Sequence, residues 1–197
     1  APSVDVYRGR GLARLRLGLF ADAIDDFGRA LEPRPDAELR LQRGWAYFFL
    51  DAWSLAERDF AEAIRLGSAQ PDAWAGRGLA RVMIGAYRDA VADAEETLRR
   101  QPSTAETYHN VACVFALAAG RAEADSALKE RAALSARFRV RAVGAVAQAL
   151  GLVPAGQRAA FWRNKICPDR ALDAIRSTAE FRHWEAEYGP APAAHSQ

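Results

Sequence analysis

Residues 71–102 read PDAWAGRGLARVMIGAYRDAVADAEETLRRQP. Apolar and small residues at Trp74, Gly78 and Val82, then beyond Gly85 at Tyr87, Ala90, Val91, Ala94 and Leu98, follow the three-or-four spacing of two successive helices. Pro71 and Asp72 open this pair and Pro102 closes it, since proline suits a first helical turn and cannot continue a helix. The hairpin recurs on both sides. Gly11, Gly44 and Gly78 are 33 and 34 residues apart, and Ala23, Ala56, Ala90 and Ala124 step by 33, 34 and 34, as do Tyr7, Arg40, Trp74 and Tyr108. Such a period marks stacked two-helix units, because one hairpin cannot bury its apolar face alone and its neighbours complete the core.

Working outward, the first hairpin takes Val4, Tyr7, Gly11 and Leu15, turns at Gly18, and returns through Phe20, Ala23, Ile24, Phe27, Ala30 and Leu31. The second follows Pro35, with Asp36 as a natural N-cap. It runs through Leu41, Gly44, Tyr47 and Phe48, then Ala56, Phe60, Ala63 and Ile64. The fourth opens at Ser103 with Glu106 three residues on, a capping box. It extends from Tyr108 through Ala112 and Phe115, past Gly120, to a second helix through Ala124, Leu128 and Ala132. Small residues recur where helices cross closely, and the column Phe27, Phe60, Ala94 and Leu128 fills the space between hairpins.

An aromatic, a glycine, a turn glycine, then Ala, Phe, Ala and a closing Pro at these spacings resemble the tetratricopeptide repeat across roughly residues 4 to 135. The resemblance implies an all-α protein, an α-α superhelix of about four helical hairpins over residues 1–135. Beyond 135 the period fades. A helix-like run at Arg141, Val146 and Leu150, a segment with Pro154, Phe161 and Trp162, and a last helical piece make residues 136–189 a helical cap for the exposed end of the stack. The Pro- and Ala-rich residues 190–197 read as a disordered tail. Pro168, Asp169, Leu172, Ile175, Arg176 and Phe181 resemble the closing segment after such repeats in large bacterial signalling proteins, including serine/threonine kinases, as Tyr108, Asn110, Ala112, Cys113 and Phe115 resemble their last full repeat.

Two charged columns share the register. Arg10, Arg43 and Arg77 each precede the first-helix glycine, and Asp26, Asp59 and Asp93 keep the same steps of 33 and 34 on the second helix. They are predicted to pair as a ladder of exposed ion pairs, each contributing about 0.2 to 1 kcal/mol. The acidic doublets Asp25–Asp26 and Glu95–Glu96 read as part of a solvated helix face and not as general acid and base.

Composition narrows the remaining classes. Net charge is +2 with 27 basic and 25 acidic residues interspersed, which disfavours nucleic acid. No apolar run approaches the roughly 18 residues of a membrane span. Cys113 and Cys167 form no C-x-x-C pattern, so neither a disulfide framework nor a zinc site is indicated, and a reducing, cytoplasmic setting fits. A chain that begins Ala1–Pro2 without a leader pattern reads as a piece of a longer protein, its C-terminal part. Zincin, P-loop and nucleophile-elbow signatures do not occur, and Gly9 and Gly11 lack the third glycine and the preceding strand of a dinucleotide loop. His109 and Cys113 share a helical face and could offer two metal ligands, yet nothing nearby in sequence completes a site. No enzyme, cofactor or metal is expected.

The resemblance directs attention to a groove lined by the first helix of each hairpin. It places Arg8, Leu12, Leu41, Trp45, Ala75, Leu79, His109 and Cys113 there, with Phe48, Phe49, Val82 and Met83 flanking. Trp45, Phe48 and Phe49 stand out, since aromatics anchor binding sites. The version of the family that grips a peptide's C-terminal carboxylate uses Lys and Asn at these columns, and this chain has no Lys there, which disfavours a chaperone-tail receptor. The sequence therefore predicts a protein-interaction module binding a peptide or partner protein. The alternatives are a regulatory C-terminal region of a larger bacterial signalling enzyme, a kinase or protease, and a self-associating scaffold.

Overall fold

The structure is a computed structural model describing residues 3–189, so the tail expected at 190–197 lies outside the described residues. The chain forms two compact units, Ala1–Pro102 and Ser103–Gln197, and among the described residues every regular element is helical. The division falls after Pro102.

The first unit is three hairpins: α1 (Val4–Arg16) with α2 (Phe20–Leu31), α3 (Ala37–Phe49) with α4 (Trp53–Arg65), and α5 (Pro71–Met83) with α6 (Tyr87–Arg99). Within it α3 touches both α1 and α5, while α2 packs on α3 and α4 on α5, so each hairpin meets the next through the next one's first helix. All three turns are built alike. Gly18, Asp51 and Gly85 adopt left-handed φ values of 75°, 57° and 92°. The following residue donates its N–H five positions back, Leu19 to Arg14 (2.9 Å), Ala52 to Tyr47 (3.0 Å) and Ala86 to Arg81 (2.8 Å), which satisfies a helix-end carbonyl. Asp51 replaces glycine because a short polar side chain tolerates that conformation.

Packing explains the repeated small residues. Ala23, Ala56 and Ala90 are completely buried. Phe60 is wedged between two hairpins: a Cβ on Gly44 would sit 2.8 Å from its ring and one on Gly76 only 2.6 Å, distances no side chain could keep. Gly44 belongs to the same hairpin as Phe60 and Gly76 to the next, so one ring fixes the approach of both.

The charged columns pair within each hairpin, and their carboxylates are buried. Arg10 to Asp26, Arg43 to Asp59 and Arg77 to Asp93 each close to 2.6 Å, with carboxylate side chains only 2%, 5% and 4% exposed. A second arginine meets each carboxylate: Arg14 at 2.7 Å, Arg40 at 2.7 Å and Arg81 at 2.9 Å. Asp26 is thus no part of a solvated face, and the ladder is a set of three-charge clusters, each a buried carboxylate held by two partly exposed arginines, in place of exposed pairs. Hydrogen bonding by Arg10 holds the Asp26 carboxyl below its ordinary range, against the opposing effect of burial and with further help from Arg14. A carboxyl with a lowered folded pKa stabilises the fold above its unfolded value, near 4, and loses that contribution as pH falls through the folded value. Asp26→Asn should therefore flatten the loss of stability on acidification below about pH 4. Urea unfolding at pH 7 and pH 3 measures it, and an unchanged difference between the two would reject the assignment.

The second unit departs from the repeat. The sequence reads a hairpin turn near Gly120, but α7 (Ala105–Ala124) runs straight through it and the chain reverses only before α8 (Arg131–Leu152). Ala124 ends α7 in an exposed position and Leu128 lies in the turn, so neither occupies its column. Glycine in a helix costs about 1 kcal/mol relative to alanine, which the buried α7 face, Val111 to Ala122, outweighs. The cap also differs: Thr104, not Ser103, accepts the N–H of Thr107 at 3.1 Å. Beyond α8 come a 3-10 turn (Ala155–Gln157), α9 (Arg158–Phe161) continuing as a π turn (Trp162–Ile166), a 3-10 helix (Arg170–Ile175) and α10 (Ala179–Tyr188). Trp162 is fully buried, its ring centroid 4.8 Å from that of Phe181. No helix among the described residues is long and apolar enough to cross a membrane.

Candidate functional site

Ten of the twelve residues assigned to the groove and its flanks lie in the first unit, and His109 and Cys113 lie in the second. Leu41 and Leu79 are 1% and 6% exposed, so they support the wall and offer no surface. Leu12, Trp45, Phe48 and Met83 are half-buried. Arg8 is committed to the hairpin that follows it, donating from Nη2 to Asp36 Oδ2 at 2.7 Å. Asp36 also caps α3 through the Leu39 N–H at 2.9 Å, so this arginine ties α1 to the start of α3.

The aromatic residues do come together. Trp45 sits edge-on to Phe60 at 5.1 Å and to Phe48 at 5.9 Å, and Phe49 lies 6.2 Å from both Trp45 and Phe48. Trp45 and Phe48 root this cluster in the core of the second hairpin, while Phe49 is 54% exposed. Sequence reasoning missed a fourth member, Phe20, whose ring stacks on Phe49 at 4.9 Å with an interplanar angle of 23°. A signal for it exists. Phe20, Trp53 and Tyr87 form a column stepping by 33 and 34 at the start of each second helix. The surface around Phe49 includes exposed Leu19 and Leu50, which flank the stacked pair in sequence at the hairpin turns.

In the second unit the chain builds a different cluster. His109 and Cys113 stand one turn apart on α7, and Asp169 reaches them from the start of the following 3-10 helix. His109 Nε2 is 3.0 Å from Asp169 Oδ2. The Cys113 Sγ lies 3.3 Å from that oxygen and 3.5 Å from Nε2. Burial and the Asp169 charge push the Cys113 thiol well above its ordinary range. Burial also pushes the Asp169 carboxyl up, but hydrogen bonds from His109 and the Ala171 N–H outweigh it and hold the group below its usual value. A thiol so held is a hydrogen-bond donor and not an activated nucleophile. These contacts make His109 and Cys113 parts of the second unit's own packing, with Cys113 buried.

Helical hairpins with this register, small-residue crossings and left-handed turns define a protein of the tetratricopeptide-repeat fold, and comparison with known proteins agrees. No protein-family model matches the chain. Human tetratricopeptide repeat protein 13 is 26% identical over 107 residues, and mouse RNA polymerase II-associated protein 3 is 32% identical over 107 residues, each match covering 54% of this chain. The chain spans only 12% and 16% of the length of these two relatives. The second tetratricopeptide domain of human RPAP3, solved with the HSP70 peptide SGPTIEEVD, superposes with a TM-score of 0.50 at 27% identity over 55% of this chain and 91% of that one. MamA superposes with a TM-score of 0.58 at 20% identity over 74% of this chain and 80% of its own, a likeness of fold alone.

Proposed function

We propose that the chain is a protein-interaction module whose first unit binds a peptide or a helix of a partner protein against the aromatic cluster of Trp45, Phe48, Phe49 and Phe20. The observation that carries this reading is the exposure of Phe49 on rings rooted in the core, an apolar anchor that is already held in place. Pre-positioned aromatics contribute disproportionately to binding because little rotamer freedom is lost on contact. A solved tetratricopeptide domain with comparable sequence carries a peptide, which supports the same use of the fold here.

The ligand chemistry differs from a carboxylate grip. Arg8 is the one arginine among the first-helix groove positions, the chain has no lysine there, and Arg8 is already paired with Asp36. Apolar or aromatic side chains on the partner suit this surface better than an acidic C-terminus. The reading includes no catalysis, and the two free thiols suit a cytoplasmic setting. The motif resemblance of residues 168–181 supports a parent protein of the bacterial signalling type, in which this chain would serve as a docking region.

Phe49→Ser is the direct test, because the residue is more than half exposed and its loss leaves the core intact. Peptides selected on the wild-type chain from a displayed library should lose at least about tenfold in affinity for this variant, with far-UV circular dichroism unchanged. Equal affinity would move the binding surface elsewhere.

A further inference from the structure

We propose that His109 Nε2, Cys113 Sγ and Asp169 Oδ2 form three ligands of a tetrahedral transition-metal site, with zinc the fitting ion and water as the fourth ligand. With zinc bonds of about 2.3 Å to sulfur and about 2.0 to 2.1 Å to nitrogen and oxygen, a tetrahedron has edges of about 3.5 Å (S to N), 3.3 Å (N to O) and 3.5 Å (S to O). The corresponding separations are 3.5, 3.0 and 3.3 Å. All three donors therefore lie on one face of such a tetrahedron to within about 0.3 Å.

The surroundings fit a ligand set. The spacing of four residues puts His109 and Cys113 on the same side of α7, and α7 supplies a rigid base. Asp169 is held by its other oxygen: Oδ1 accepts the Ala171 N–H at 2.9 Å, leaving Oδ2 directed at the histidine and the thiol. Arg176 fixes the same loop through the carbonyls of Cys167 at 2.7 Å and Asp169 at 3.0 Å. Outer contacts of this kind orient metal ligands. The Asp169 side chain is 31% exposed and that of His109 14%, so an ion and a water can enter from the aspartate side. Sulfur and imidazole donors select zinc over calcium or magnesium, which take oxygen. On binding, the Cys113 Sγ–H proton leaves to solvent and the proton that His109 Nε2 directs at Asp169 leaves that nitrogen for solvent or Nδ1, so that the sulfur and Nε2 lone pairs form the metal bonds. The sequence offers only the first two donors. The fold supplies the third, and the ion would clip the 3-10 helix of the cap to α7.

The test is titration of the untagged full chain with Co²⁺ and then Zn²⁺ under reducing conditions. One ion per chain is expected, with tetrahedral d–d absorption and a thiolate-to-cobalt charge-transfer band that Zn²⁺ displaces. Cys113→Ser should remove the charge-transfer band, and Asp169→Asn, close to isosteric, should weaken binding at least about tenfold. Cys167→Ser should change neither. Zinc at 100 times its Kd should raise the melting temperature by about 5 to 10 °C. Substoichiometric binding, a band that survives Cys113→Ser, or affinity unchanged in a folded Asp169→Asn protein would overturn the site and leave a hydrogen-bonded trio only.

Discussion

Phe60→Ala is expected to lower the unfolding free energy by about 3 to 5 kcal/mol, the range for deleting an aromatic ring from a close-packed core. The ring is fully buried and fills a slot between two glycines on different helices. Removing it takes its apolar surface out of the core and leaves a cavity that Gly44 and Gly76, without side chains, cannot fill. Trp45 would also lose the edge contact at 5.1 Å that helps hold it. Since whole domains are stable by only about 5 to 15 kcal/mol, the variant should unfold at markedly lower urea. Urea titration followed by circular dichroism measures this. A loss below about 1 kcal/mol would mean that the two hairpins close on the gap and that their spacing is not set by Phe60.

Asp59→Ala is expected to cost about 2 to 4 kcal/mol, for an electrostatic reason. The Asp59 carboxylate accepts three bonds, from Arg43 Nε at 2.6 Å, Arg43 Nη2 at 2.9 Å and Arg40 Nη1 at 2.7 Å. With it gone, two guanidiniums face each other without a counter-charge, their side chains only 28% and 17% exposed. Breaking a buried charge pair from one side is costly because the partner stays desolvated. The partial exposure of the arginines lets them turn toward water, which keeps the loss below the upper end. Asp59→Asn retains two acceptor lone pairs but no charge and should fall between. Equal stability of wild type and Asp59→Ala would show that the cluster serves orientation of the helices and not stability.

Much of this fold was written locally. The steps of 33 and 34 locate all six helices of the first unit, because small and large apolar residues at helical spacing mark the buried face whatever lies beyond it. The pairing of Arg10 with Asp26 also followed from register, since equal steps in two columns keep the partners level. Its burial did not follow. Nothing in the spacing shows that Arg14 and Arg81 from the following turn, and Arg40 from the preceding one, complete the clusters. The misplaced turn at Gly120 has a similar origin: glycine reads as a break in sequence, but the burial of Val111 through Ala122 against neighbouring helices outweighs its propensity.

The candidate sites divide the same way. Trp45, Phe48 and Phe49 were legible as an aromatic cluster because they share one helix, and Phe20 could be found only through its repeat column. Which of them faces solvent, and that Leu41 and Leu79 are both spent on the core, depends on neighbouring helices that no single segment specifies. The trio of the second unit is the extreme case. Asp169 is 56 residues from Cys113, and only the return of the chain after α8 sets its carboxylate 3.3 Å from the sulfur. The sequence by itself determined a stack of helical hairpins and the residues that must be small, because those demands repeat at fixed short spacing. The tertiary structure decided which charges are buried, which ring is exposed and which three donors meet, because each depends on contacts between segments distant along the chain.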